Sequence, residues 1–108
     1  MDFLQLTVTG KIWRYPGKGG WYFVSLSEED SRALKEEKRI DRTFYGYVPV
    51  TATLGARVWM TTLFPSKDGP YLLAIKADVR AKERIGVGDE VVVDCRVALS
   101  KRELDIRP

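Results

Sequence analysis

Apolar and polar residues alternate near both ends of the chain. Between residues 3 and 13, Leu4, Leu6, Val8 and Ile12 fall on one parity and Gln5, Thr7, Thr9 and Lys11 on the other. This pattern predicts a strand with one face buried and one in water. Val91, Val93, Cys95 and Val97 line one side of a long strand near the other end. The stretch Tyr15-Pro16-Gly17-Lys18-Gly19-Gly20 joins a fixed proline angle to glycines that tolerate positive φ, and leads into the aromatic and β-branched run Trp21 to Leu26. A hairpin with a flexible loop is expected there.

Ser27 then opens SEEDSRALKEEKR, in which a serine cap, three acids in the first turn and later basic residues suit a helix dipole. Its only large apolar residue is Leu34, so this helix is expected on the surface with little core of its own. Two further strands follow, Tyr45 to Leu54 and Arg57 to Phe64, with Gly55 marking the turn between them. In the first, Val48, Val50, Ala52 and Leu54 share a parity. In the second, Val58, Met60, Thr62 and Phe64 read as the core face, leaving Arg57, Trp59, Thr61 and Leu63 on the other. Pro65 to Pro70 make a turn before a strand from Tyr71 to Lys76 and a short helix from about Asp78 to Arg84. Ser100 to Pro108 add an edge strand or fray.

An internal similarity organises these elements. Tyr22-Phe23-Val24-Ser25-Leu26 aligns without gaps to Tyr71-Leu72-Leu73-Ala74-Ile75, 49 positions later, and each copy runs strand, helix, strand. Two such units related by a pseudo-twofold axis would close a small barrel and leave no exposed sheet edge. The expected fold class is therefore mainly β: one domain over residues 1–108, a small closed antiparallel barrel of about six or seven strands with two short helices.

Composition narrows the chemistry. At 108 residues the chain suits a single core. Its apolar runs are far shorter than the roughly 20 residues a bilayer requires, and its N-terminus lacks a basic segment followed by an apolar one. With a single cysteine it has no internal disulfide, so a reducing cytoplasm is the expected location. There is no histidine at all, which removes the usual proton carrier near neutral pH and, with it, any His/Cys cluster for zinc. Cys95 shares the parity of Val91, Val93 and Val97 and reads as a buried structural residue. Ser25, Ser27 and Ser31 lack a histidine partner and a Gly-x-Ser-x-Gly elbow. Gly17-Lys18-Gly19-Gly20 lies between strands, whereas phosphate-loop and dinucleotide fingerprints need a following helix. Neither a metal nor a cofactor is expected.

Charge then nominates a surface. The formal charge is +3, from 18 basic and 15 acidic side chains. Residues 27–38 hold five acids and three bases, which leaves 15 bases against 10 acids elsewhere. An acidic helix thus masks a basic body. Lys11 and Trp13 share the polar parity of the first strand, and Arg57, Trp59 and Thr61 share the less apolar parity of another. If those strands are neighbours, cations and aromatic planes interleave on one exterior face. Lys76 and Arg80 flank the start of the second helix and extend an anion site, or pair with Asp78 or Asp89. The tryptophans, in turn, either stack ligands or cover the barrel ends.

Several motifs in order carry a resemblance: Lys11-Ile12-Trp13, Gly19-Gly20-Trp21-Tyr22-Phe23-Val24, Pro49-Val50-Thr51-Ala52-Thr53, Trp59-Met60-Thr61-Thr62-Leu63-Phe64-Pro65, Tyr71-Leu72-Leu73-Ala74-Ile75-Lys76, Val79-Arg80 and Gly86-Val87-Gly88-Asp89-Glu90-Val91. From about Phe3 to Val97 the chain resembles the bacterial domain-of-unknown-function family nineteen-oh-five. That resemblance implies a small, closed, mostly antiparallel barrel and no established activity, substrate or catalytic residue. The short helix with Arg80, followed by Gly-x-Gly-Asp and a valine-rich strand, is also distantly similar to the swapped-hairpin barrels of AbrB-type regulators, which are dimeric DNA binders. Plain turn chemistry explains the same glycines.

The leading expectation is a non-enzymatic binding module that contacts nucleic acid or another polyanion through Lys11, Trp13, Arg57, Trp59, Lys76 and Arg80. The alternative is a small-ligand carrier or sensor, taking an anionic small ligand in a pocket near Trp13, Trp21 and Trp59 at one barrel opening. An enzyme using carboxylate or lysine chemistry ranks below both, because the usual catalytic constellations are missing. A duplicated barrel closes as a monomer, the expected state, whereas a non-duplicated one borrows strands from a second chain.

Overall fold

The computed structural model describes residues 2–42 and 46–100. The long first alternation forms two strands, β1 (Phe3–Lys11) and β2 (Trp13–Arg14), broken at Ile12. There follow β3 (Tyr22–Ser25), α1 (Glu28–Glu36), β4 (Val48–Leu54), β5 (Arg57–Phe64), β6 (Leu72–Ala74), α2 (Ala77–Glu83) and β7 (Glu90–Ala98). The C-terminal stretch from residue 101, expected as an edge strand or frayed end, and Tyr45, expected to open β4, lie outside the described residues.

All strand pairs are antiparallel and build one sheet in the order β1-β7-β4-β5-β6-β3-β2. The sheet is an open half-barrel that wraps through 234°, not the closed barrel expected from the sequence. The reason lies in β1 and β2, which are consecutive in the chain yet stand at opposite edges of the sheet. The chain bridges the two edges at Ile12, whose backbone bonds instead to Asp89 and Gly88, without the hydrogen-bond ladder that closure requires. Gly10 permits the close approach of β1 to β3: a Cβ there would sit 3.1 Å from Val24 Cγ1.

The inner face collects Leu6, Val8, Val24, Leu34, Val48, Val50, Leu63, Leu73, Val93 and Val97 into one core. β7 shows the alternation at its cleanest, every second residue from Val91 to Val97 being buried. β5 reverses the expected parity. Val58 and Met60 are 61% and 59% exposed, whereas Leu63 is fully buried and Trp59 packs against the core. Antiparallel partners share a face, and Val48, Val50 and Ala52 stand opposite Leu63, Thr61 and Trp59. β3 and β6 are buried on both sides, because Phe23, Leu72 and Ala74 form a second, outer cluster with Trp13 and Phe64.

Local symmetry relates the two strand-helix units. β3 pairs with β6 about Val24 and Leu73. The flanking bonds from Leu26 N to Tyr71 O and from Ile75 N to Tyr22 O are twins, both 2.9 Å. The N-caps of the helices, Ser27 and Lys76, keep the same spacing from their strands and the same extended backbone. In α1, Ser27 Oγ accepts from Asp30 N at 3.0 Å, as its sequence predicts. Two residues dock this helix. Leu34 is fully buried, and the buried Ser31 Oγ accepts from Tyr71 N at 3.0 Å.

Cys95 sits in the core with its thiol pushed up from 9.0 to about 12, chiefly by burial, with Asp94 and then Asp30 adding charge repulsion. Since the folded state holds this proton more tightly than the unfolded state, the thiol adds no pH dependence well below pH 9.0. Above that pH, stability falls until about pH 12. In a labelling assay at pH 8, the folded protein is expected to resist thiol reagents and to react only as fast as it unfolds. Rapid labelling without denaturant would place Cys95 at the surface.

Candidate functional site

A cleft between β5 and α2 follows from unequal strand lengths. β5 pairs with β4 from Arg57 to Leu63, but with the three-residue β6 only at Leu63 and Phe64. Beyond Ala74 the chain leaves the sheet and turns into α2, so the Arg57 to Thr62 stretch of β5 has no strand on that side. Thr61 Oγ1 donates to Ala74 O at 3.0 Å where the strands part. At the far end, α2 is tied to β5 by the ion pair between Arg57 Nε and Glu83 Oε2, 3.5 Å apart. The gap between is a cleft of about 540 Å³, lined by Trp21, Tyr22, Met60, Thr61, Thr62, Phe64, Lys76 and Arg80, with Gly19 and Gly20 at its rim. That size suits a small organic ligand.

Its side chains are held in place by their neighbours. Arg80 stacks on Tyr22, its guanidinium carbon 3.5 Å from the ring centroid, and Arg80 Nε donates to Ile75 O at 3.2 Å. These contacts fix the plane of the guanidinium and leave its terminal nitrogens for an anion. Asp78 and Asp89, the expected ion-pair partners of Lys76 and Arg80, instead accept from the backbone N–H groups of Val79 and Gly86. Trp21 lies parallel to Phe23, with centroids 6.0 Å apart, and meets the edge of Phe64 at 5.6 Å. Gly19 lets the indole rest against the backbone, since a Cβ there would be 3.0 Å from Trp21 Cδ1. Trp21 remains 48% exposed. Among the described residues, no carboxylate lines the cleft.

Of the seven residues singled out from the sequence, Trp21, Lys76 and Arg80 converge here. The other four do not. Lys11 ends β1 opposite Glu90, and β1 is separated from β5 by β7 and β4, so the interleaved exterior face does not form. Trp13 packs on Phe23 at 5.5 Å, and its Nε1 donates to Ser25 Oγ at 3.0 Å. Arg57 and Trp59 are on the inward parity of β5, the one pairing with Glu83 and the other packing on the core. The expected pocket near three tryptophans thus retains only Trp21. Sequence reading missed Tyr22 and Phe64 as site residues, although Tyr22 opens the repeated segment and is the counterpart of Tyr71.

The twofold relation between the strand-helix units gives this cleft a twin. Moving 49 positions along the chain carries Gly19, Gly20 and Trp21 to Asp68, Gly69 and Pro70, and moving back carries Ile75, Ala77 and Arg80 to Leu26, Glu28 and Ser31. Those counterparts line one other depression, beside α1. There a serine and a proline stand at the positions of the cleft's arginine and tryptophan, and Arg32 and Lys35 are accompanied by two carboxylates, Glu28 and Asp68, whereas the described lining of the cleft has Lys76 and Arg80 and no acid.

Comparisons with curated proteins and with solved structures found no match. A family profile does match, over residues 9–94, which takes in β3 through β6, both helices and every residue of the cleft. The chain belongs to the family described as Domain of unknown function (DUF1905).

Proposed function

We propose that the chain is a non-enzymatic binding module that holds a small anion bearing a planar ring in the cleft between β5 and α2. The contrast with the pseudo-symmetric twin carries this reading. At the positions where the twin has Ser31 and Pro70, the cleft carries Arg80 and Trp21, a guanidinium and a half-exposed ring that the equivalent half of the fold does without. Their chemistry converges: Arg80 and Lys76 offer donors to a carboxylate or phosphate, and Trp21 offers an exposed ring face for stacking. A cation pair with no carboxylate among the described lining residues attracts an anion and repels a cation. The track through Arg57 and Trp59 expected from the sequence has no support, because both residues face inward.

The test is calorimetric titration with inorganic phosphate, a nucleoside monophosphate and an indole carboxylate. A ring-bearing anion is expected to bind better than phosphate alone. Arg80→Ser, which installs the residue of the twin site, is expected to weaken binding by about tenfold or more, the value of a charge-assisted hydrogen bond. Its stability to thermal unfolding should stay within about 2 kcal/mol of the parent, the loss of one cation–π contact and of the hydrogen bond to Ile75 O. Equal affinity in the parent and in Arg80→Ser would sink the assignment, as would absence of binding by both ring-bearing anions.

A further inference from the structure

We infer that the cleft is one subsite of a longer track for single-stranded nucleic acid, which runs past Trp21 and Phe64 into a second groove on the outer face of the sheet. This rests on the reading of the cleft as a site for a ring-bearing anion, and it names the ligand.

The second groove encloses about 480 Å³ and shares Trp21 and Phe64 with the cleft, so one pair of rings forms the wall between them. Tyr15, Phe23, Tyr47 and Lys67 also line it, beside Pro65, Ser66 and Leu72. The rings touch in sequence. Tyr15 is 6.0 Å from Phe23, Phe23 is 5.9 Å from Phe64, and Phe64 is 4.8 Å from Tyr47. Three of them reach water, Tyr15 at 49%, Trp21 at 48% and Tyr47 at 38% exposed. Among the described residues no carboxylate lines either groove, although the chain carries 15. Cations stand in both, Lys67 in one and Lys76 and Arg80 in the other.

Exposed ring faces at intervals, with cations between them and no acids, match a polymer that alternates planar bases with phosphates. A base seated against Trp21 in the cleft places its phosphate towards Arg80 and Lys76, and the next base passes the wall to the Tyr15 and Tyr47 rings. Stacking of this kind is indifferent to base identity, since every base has a π face. A duplex hides those faces in its own stack, so the single strand is the form that fits. An acidic peptide satisfies the cations but leaves the rings unused.

The experiment titrates the full chain by calorimetry with thymidine monophosphate, with an indole carboxylate, with oligothymidylate of about eight nucleotides, with a duplex of the same length and with an oligoglutamate peptide, at about 50 and 200 mM salt. The oligothymidylate is expected to bind at least about tenfold tighter than the mononucleotide, and to lose about tenfold between the two salts as phosphate contacts release counterions. Tyr15→Ala and Lys67→Gln should weaken the oligonucleotide several-fold while leaving the mononucleotide unchanged. Tyr15→Phe should restore the ring and the affinity. Lys67 lies on an exposed turn, so its variant keeps the test sound if Tyr15→Ala unfolds. Binding of the mononucleotide or the indole carboxylate with no gain for the oligonucleotide would overturn the track and leave the cleft reading standing. Preference for the duplex or the peptide would overturn the track as well. No binding by any of them removes both.

Discussion

Leu73→Ala is expected to destabilise the protein by about 3–5 kcal/mol, the upper range for removing a leucine from a core that cannot collapse around the hole. Leu73 is fully buried, and it stands where the two strand-helix units meet. On one side it pairs with Val24 of β3, and on the other with Leu63 of β5, both also fully buried. Backbone on three adjacent strands holds its neighbours in place, so little relaxation is available. A domain of this size has roughly 5–15 kcal/mol in total, so this single change removes a large share of it. Denaturant unfolding should show a lower midpoint with an unchanged slope, the mark of lost stability without altered compactness. Leu72→Ala is the control. Its side chain belongs to the outer aromatic cluster beside the open groove, where rings can shift into the space, and about 1–3 kcal/mol is expected. Equal losses at the two positions would mean that the inner core is not the dominant one.

The fold was legible wherever a strand buries a single face. β7 and the Phe3 to Ile12 run show their burial in their alternation, and α1 shows its start in Ser27 and its acids. β5 was misread because its side chains mislead: Val58 and Met60 look like core, while Arg57, Trp59 and Thr61 look like surface. A second signal was present. With only Gly55 and Ala56 between the strands, Leu54 must face Arg57, and every pairing up to Val48 with Leu63 follows from that register. The valines and Ala52 of β4 then draw Trp59 and Leu63 inward with them. Closure was overestimated because it depends on whether Ile12 continues the ladder, a tertiary matter that alternation does not encode. The cleft was half legible. Trp21, Lys76 and Arg80 could be named from their types, but their meeting depends on β6 ending after three residues, which no local pattern announces.

Trp59 provides the second large effect, and it reverses what a surface reading of β5 expects. Trp59→Ala should cost about 2–4 kcal/mol, somewhat below a fully buried tryptophan, because the ring packs against the core while remaining partly exposed. As an exterior stacking platform it would cost almost nothing in stability and much in binding. The indole nitrogen separates ring from polarity. Trp59 Nε1 is buried and finds no hydrogen-bond partner among the described residues. A buried donor without a partner carries a desolvation penalty of about 1–3 kcal/mol. Trp59→Phe therefore loses some packing area but also sheds that penalty, and its stability should fall within about 1 kcal/mol of the parent. The ordering expected by thermal and denaturant unfolding is parent and Trp59→Phe close together, with Trp59→Ala well below both. If Trp59→Phe instead falls as far as Trp59→Ala, the indole N–H has a partner in solution, and the interior around Trp59 is wetter than its packing implies.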